Sequence, residues 1–141
     1  VDKTINYENQ YFSNKGIFEE FKNRIDSLKF DLRKMIIELK NKGKKVYGLG
    51  ASTKGNVLLQ YFDLNKDLID AIGEVNKSKF GKFTPGTNIP IVNQKEILQE
   101  KNSCFLVLPW HFSRFFKTSD TFKDVHLIFP LPQIEVINEK N

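Results

Sequence analysis

Two short runs, residues 46–49 and 104–108, are apolar at nearly every position. A strand with one wet face alternates apolar and polar residues. A continuous apolar run belongs to a strand covered on both faces, as in a parallel sheet packed between helices. Between these runs the pattern changes to helical spacing, and further strand-like pieces follow. Strands alternating with helices point to βαβ units. The sequence therefore predicts a Rossmann-like three-layer α/β sandwich with a mostly parallel sheet and a long N-terminal helix.

Residues 1–16 are polar and lack periodicity, so they read as a tail or linker ahead of one domain at 17–141. From Ile17 the apolar positions Phe18, Phe21, Ile25, Leu28, Leu32, Met35, Ile36 and Leu39 recur every three or four residues. That is one stripe of an amphipathic helix, which Gly43 stops. "KKVYGLG" reads as a strand, "STKGNVLLQYF" as a helix and "LIDAIGEV" as a second strand. "NKSKFGKFTPGTN" is loop, "IPIV" a short extended piece, and "NQKEILQE" a helix capped by Asn93. "SCFLVLPW", a helical "HFSRFFK", "VHLIFP" and a possible edge strand "QIEVI" complete the chain.

The 141 residues fit one domain with a sizeable core, and 40% apolar content with 13 Phe excludes a disordered chain. A lone cysteine, Cys104, excludes a disulfide framework and a cysteine-based zinc site, and its apolar neighbours make it core packing. No metal site is expected. The cysteine usage, with no membrane-length apolar run and no signal peptide, points to a reducing cytoplasm. The net charge of +5 is spread along the chain rather than gathered on one helix face. Nucleic-acid and membrane partners are therefore not expected.

The stretch "YGLGASTKGNVLL" carries the strongest chemical signal. It fails the dinucleotide fingerprint, because Thr53 stands at the third glycine position after Gly48 and Gly50. It also fails the Walker pattern, because Lys54 precedes Gly55. The physics of anion binding remains. A strand ends, the chain turns on glycine, and a helix begins with unpaired N–H groups and the positive end of its dipole. Ser52 and Thr53 add hydroxyls and Lys54 a mobile charge, while Gly50, Ala51 and Gly55 allow close approach. The plainer alternative is a β–α turn capped by Ser or Thr.

Other residues also have two readings. Glu74 ends the second strand, where an acid accepts from a ribose hydroxyl or pairs with Lys77 or Lys79. Asn76 reads a base edge or holds an Asx turn. Pro85 and Gly86 centre a predicted type II turn, whose loop covers a base or merely connects. His111, after Trp110, is a proton carrier, a ligand donor or a surface residue. Arg114 with Phe112, Phe115 and Phe116 forms a stacking platform, a core element or a domain interface.

Four separated motifs occur in order: "GLGASTKGNVLL", "EVNKSKFGKFTPGTNIPI", "LPWHF" and "IFPLPQIEVI". Together they resemble the C-terminal domain of the sugar C-methyltransferase family over about residues 17–137. Three positions depart from that family's pattern: Glu74 stands for the usual Asp, Lys77 for a common Pro and Asn88 for a frequent His. The resemblance implies that this is the third domain of a larger enzyme. S-adenosylmethionine and structural zinc would then lie on missing domains, with no cofactor and no catalytic residue here. The implied substrate is a nucleotide-linked ketodeoxysugar, on dTDP or similar, that is deprotonated beside the ketone and methylated at carbon. The resemblance assigns the nucleotide and diphosphate to Gly50, Ala51, Ser52, Thr53, Lys54, Gly55, Asn56, Glu74 and Asn76. Lys79, Pro85, Gly86, Thr87, Trp110 and His111 are candidates on the substrate side, and the missing methyltransferase domain is an expected partner. The fragment alone is expected to be inactive. A non-enzymatic nucleotide-binding or protein-interaction module is the alternative.

Overall fold

In the computed structural model, which describes residues 2–139 with side chains from Lys15 onward, the first strand lies at the middle of the sheet. This strand, β1 (Lys45–Leu49), follows helix α1 (Asp2–Asn41) and precedes helix α2 (Thr53–Tyr61). Then come β2 (Ala71–Glu74), β3 (Ile91–Asn93), helix α3 (Gln94–Leu98), β4 (Ser103–Val107), helix α4 (Ser113–Thr118), β5 (Leu127–Phe129) and β6 (Glu135–Ile137). The six strands are ordered β3-β2-β1-β4-β5-β6. All neighbours run parallel except β6, which pairs antiparallel to β5 as the edge. This is the doubly wound order of dinucleotide-binding sheets.

Alternation along the strands splits the core into two layers. Val46, Ile72, Cys104, Leu106 and Ile128 face one way, with Leu32 and Ile36 of α1 and Leu58 and Leu59 of α2 packed on them. Tyr47, Leu49, Phe105, Val107, Leu127 and Phe129 face the other way, against Ile97 of α3, Phe116 of α4 and Phe122. The three-layer sandwich expected from the sequence is therefore present. The apolar runs at 46–49 and 104–108 are the two central strands, buried on both sides as expected.

Helix α1 differs from its expected extent. The stripe sets a start at Ile17, whereas the backbone is helical from Asp2. The side chains of residues 1–14 lie outside the described residues, so whether 1–16 behaves as a separate tail is left aside. At its other end α1 stops as expected: the Gly43 amide donates to Lys40 and the Lys44 amide to Leu39. The short turn to β1 makes α1 antiparallel to that strand. Its earlier residues therefore lie towards the end of the sheet where the parallel strands finish. One ion pair and two hydrogen bonds tie α1 to the end of α2 on this face, with Lys29 against Asp63 at 2.9 Å and Arg33 donating to the carbonyls of Phe62 and Asp63. The Lys40 ammonium meets Asp70 at 3.0 Å, and Asp70 also accepts from the Val46 amide at 2.9 Å, tying the base of α1 to the start of β1.

Cys104 is fully buried, its Sγ 3.7 Å from the Lys45 carbonyl. Burial pushes its thiol up from 9.0 to about 11. Burial, helped by the nearby charge of Glu100, pushes the Tyr47 phenol up to about 12. Each group keeps its proton in the fold at a pH where the unfolded chain has lost it. The stability this gives is complete below pH 9 and is lost as pH rises through the folded values. The melting temperature should therefore drop between pH 9 and 12. Cys104→Ala should flatten the part between 9 and 11, leaving the Tyr47 part. A melting profile that stays level from pH 8 to 12 would contradict this.

Candidate functional site

Strands β1 and β4 are neighbours, paired from Lys45–Ser103 to Leu49–Val107, yet their following helices α2 and α4 lie on opposite faces. The chain leaving β1 and the chain leaving β4 thus diverge from one point. In open α/β sheets this crevice at the carboxyl ends of the strands is where ligands bind. Here it is formed by Gly50–Lys54 after β1 and Leu108–His111 after β4.

Gly50 has φ +86, and a Cβ there would stand 3.0 Å from Cδ of Pro109, so the two turns touch where only glycine fits. Ser52 caps α2, its Oγ accepting from the Gly55 amide at 3.1 Å while its carbonyl accepts from Asn56 at 2.9 Å. Gly55 is buried, and a Cβ there would lie 2.9 Å from Cβ of Leu108. That contact brings the first turn of α2 against the end of β4. Among the described residues the amides of Thr53 and Lys54 have no hydrogen-bond partner. Both side chains are exposed. The capping alternative is therefore satisfied by Ser52, and two amides of the helix start remain for an anion. The Asn56 Oδ1 atom is buried without a partner in the same turn. Such an orphan acceptor costs about 1–3 kcal/mol until a donor reaches it.

Lys79 supports the turn from behind. Its ammonium donates to the Ala51 carbonyl at 2.7 Å and lies 3.3 Å from Oε1 of Glu74. The other Glu74 oxygen accepts from the Val75 amide at 2.8 Å, and Glu74 is only 9% exposed. The pairing with Lys79, one of the two readings of Glu74, is thus present. Lys79, expected on the substrate side, holds the Ala51 carbonyl. Asn76 makes the Asx turn, accepting from the Ser78 amide at 3.1 Å and the Ser78 hydroxyl at 2.8 Å.

Trp110 lines the same cavity as Thr53 and Lys54, about 470 Å³ in volume and walled further by Phe18 and Phe21 of α1 and by Leu131. His111 is exposed beside it, the two rings 5.9 Å apart. Pro85, Gly86 and Thr87 are not brought to this end. The Pro85 carbonyl accepts from the Gln60 side chain at 2.7 Å, at the far end of α2. Seven helical residues separate Gln60 from Thr53, roughly 10 Å. Thr84 and Thr87 are buried and joined by their hydroxyls. Gly86, at φ 77, has the positive φ that the expected type II turn requires, and the Asn88 amide donating to Thr84 closes a turn one residue wider. This loop is the connector between β2 and β3. Phe116 is core, while Phe112 and Phe115 are exposed. A second cavity, about 480 Å³, lies at the opposite end of the central strands, near Lys44, Ser103 and His126, where they begin. Among the described residues no helix starts in its lining, so the β1–β4 crevice is the better site.

Against this geometry stands a direct comparison: the family model of the C-methyltransferase C-terminal domain matches residues 1–132. The chain belongs to this family. It is also 26% identical over 129 residues to the C-methyltransferase NovU of Streptomyces niveus, an alignment covering 88% of this chain and 30% of that protein. The chain thus spans about a third of the length of that curated relative. In this C-methyltransferase C-terminal domain, Asn88 lies in the connector loop at φ 58. Asparagine tolerates that left-handed backbone. Among the described residues no group of three metal-binding side chains occurs, and no helix is long and apolar enough to cross a membrane. Sequence reasoning proposed Thr53, Lys54 and Trp110 as site residues, but not that Phe18, Phe21 and Leu131 share their cavity. The signal for Phe18 and Phe21 was the early start of the α1 stripe; Leu131 had none.

The Lys79 strap predicts a local effect. Lys79→Met should cost about 1 kcal/mol, allowing for the half exposure of the ammonium. It should also speed hydrogen exchange of the Gly55 and Asn56 amides severalfold, with Lys79→Arg restoring most of the protection. Unchanged exchange at those two amides in Lys79→Met would show that the lysine does not hold the turn.

Proposed function

We propose that this domain holds the nucleotide diphosphate of a nucleotide-linked ketodeoxysugar for an S-adenosylmethionine-dependent C-methyltransferase. Family membership over residues 1–132 carries the reading. The crevice supports it in chemical detail. Two unpaired amides, the positive end of the α2 dipole, the hydroxyls of Ser52 and Thr53 and the Lys54 ammonium are donors and positive charge, which suit a diphosphate. The half-buried Trp110 gives the same cavity an apolar wall, suited to the flat part of a nucleotide.

These residues do not fit the cofactor. S-adenosylmethionine carries a sulfonium cation, whereas the turn presents Lys54, and Lys79 behind it. The acid at the end of β2, which a bound adenosine would need for its ribose, is engaged by Lys79 and the Val75 amide. No methyl-transfer step is therefore assigned to this domain. Its contribution is to position the substrate: binding energy gathered at a remote diphosphate is used to orient the reacting carbon. The catalytic base and the cofactor then belong to other parts of the enzyme, in a reducing cytoplasm.

Lys54→Ala tests the diphosphate contact. A charge-assisted hydrogen bond is worth about 1.5–3 kcal/mol, so the variant should bind dTDP roughly 10- to 100-fold more weakly at low salt. The difference should shrink at high salt, because screening already weakens the wild-type contact. Calorimetric titration of both proteins, with a melting curve for each, checks this. Equal affinities at low salt with both proteins folded would remove the assignment.

A further inference from the structure

Helix α1 bears an apolar face that is exposed among the described residues. Ile17, Phe18 and Phe21 are 62%, 65% and 56% exposed, and across from them on α2 Val57 is 62% and Tyr61 48% exposed. Phe18, Phe21, Val57 and Tyr61, with Ile25, Trp110 and Leu131, line one cavity of about 470 Å³, with Lys22 and Lys54 also on its lining. Scattered apolar side chains are ordinary on a protein surface, but a contiguous patch with a polar rim marks an interaction site.

The helix geometry explains how the patch arises. Residues 18, 21, 25, 28 and 32 are one stripe at helical spacing. Its later members, Leu32 and Ile36, are fully buried on the sheet, whereas its first members, Phe18 and Phe21, are exposed. A helix of 40 residues is roughly 60 Å long, and β1 with its five residues only about 17 Å. The stripe therefore continues past the sheet it packs on.

We infer that this face is the seat of the remainder of a longer C-methyltransferase polypeptide, presenting a surface that is apolar at its centre and acidic at its rim. The lysines at the patch set the sign of that rim. The length of the relative supplies the candidate: the aligned stretch is 30% of the C-methyltransferase NovU, so most of that protein lies elsewhere. The patch is also continuous with the candidate site, since Thr53, Lys54 and Trp110 line both. A domain seated on Phe18 and Phe21 would thus border the β1–β4 crevice and close one side of it. The inference rests on family membership and not on the diphosphate reading.

Hydrogen exchange tests it in the natural polypeptide that carries this sequence, compared with residues 1–141 alone and without any nucleotide. Amides of residues 15–25 should exchange at least tenfold more slowly in the natural polypeptide. The double variant Phe18→Glu with Phe21→Glu should return them to the rate of the 141-residue chain, without changing its melting temperature, because both side chains are exposed there. Phe30→Glu, 67% exposed on the same helix but off the patch, should leave the protection intact. Equal exchange in the two forms, or a natural polypeptide no longer than 141 residues, would overturn the inference. So would protection of residues 15–25 that appears in the short chain as its concentration rises, because the occupant would then be a second copy. Since no nucleotide is present, failure here leaves the dTDP titration unaffected.

Discussion

The parallel ladder between β1 and β4 joins Lys45 to Ser103 and Leu49 to Val107, so both strands finish side by side. Every feature of the candidate site depends on that pairing. It places Gly50 against Pro109 and Gly55 against Leu108, where any side chain on either glycine would push the two turns apart. With the turns in contact, the start of α2 opens into the crevice and not onto another helix. The ladder itself is held by apolar side chains on both faces, from Val46, Cys104 and Leu106 on one and Tyr47, Phe105 and Val107 on the other.

A second constraint refines the first. The Ala51 carbonyl lies at the turn, and left free it would present negative charge where an anion is to bind. Lys79 takes that carbonyl and is itself held by Glu74. The strap thus joins the ends of β1 and β2, and it leaves Lys54 as the mobile cation at the mouth of the crevice. One lysine sets backbone geometry and the other meets solvent, although the sequence presents both alike.

The sheet was legible because burial on both faces leaves a mark that needs no knowledge of partners. Residues 46–49 and 104–108 could be little else, and the caps at Ser52 and Asn93 follow from side-chain chemistry within three residues. The Asx turn at Asn76 was legible for the same reason. What the sequence left open involves long separations. Lys79 reaches Ala51 across 28 positions, and Gln60 reaches Pro85 across 25. Local pattern carries no information on either, so Glu74 kept two readings and the Pro85 loop was grouped with the site. The start of α1 was missed because residues 2–16 lack an apolar stripe to announce a helix. The stripe from Phe18 onward was legible as a helix face, but periodicity does not say where the covering surface ends.

The central claim is that the β1–β4 crevice receives the diphosphate. Amide chemical-shift mapping of the folded chain during addition of dTDP tests it residue by residue. The account predicts that the largest shifts fall on Gly50–Gly55, with smaller ones at Trp110 and His111, and that the amides of Thr53 and Lys54 move most. Shifts concentrated instead around Lys44, Ser103 and His126, at the opposite end of the strands, or no shifts at millimolar nucleotide, would contradict it.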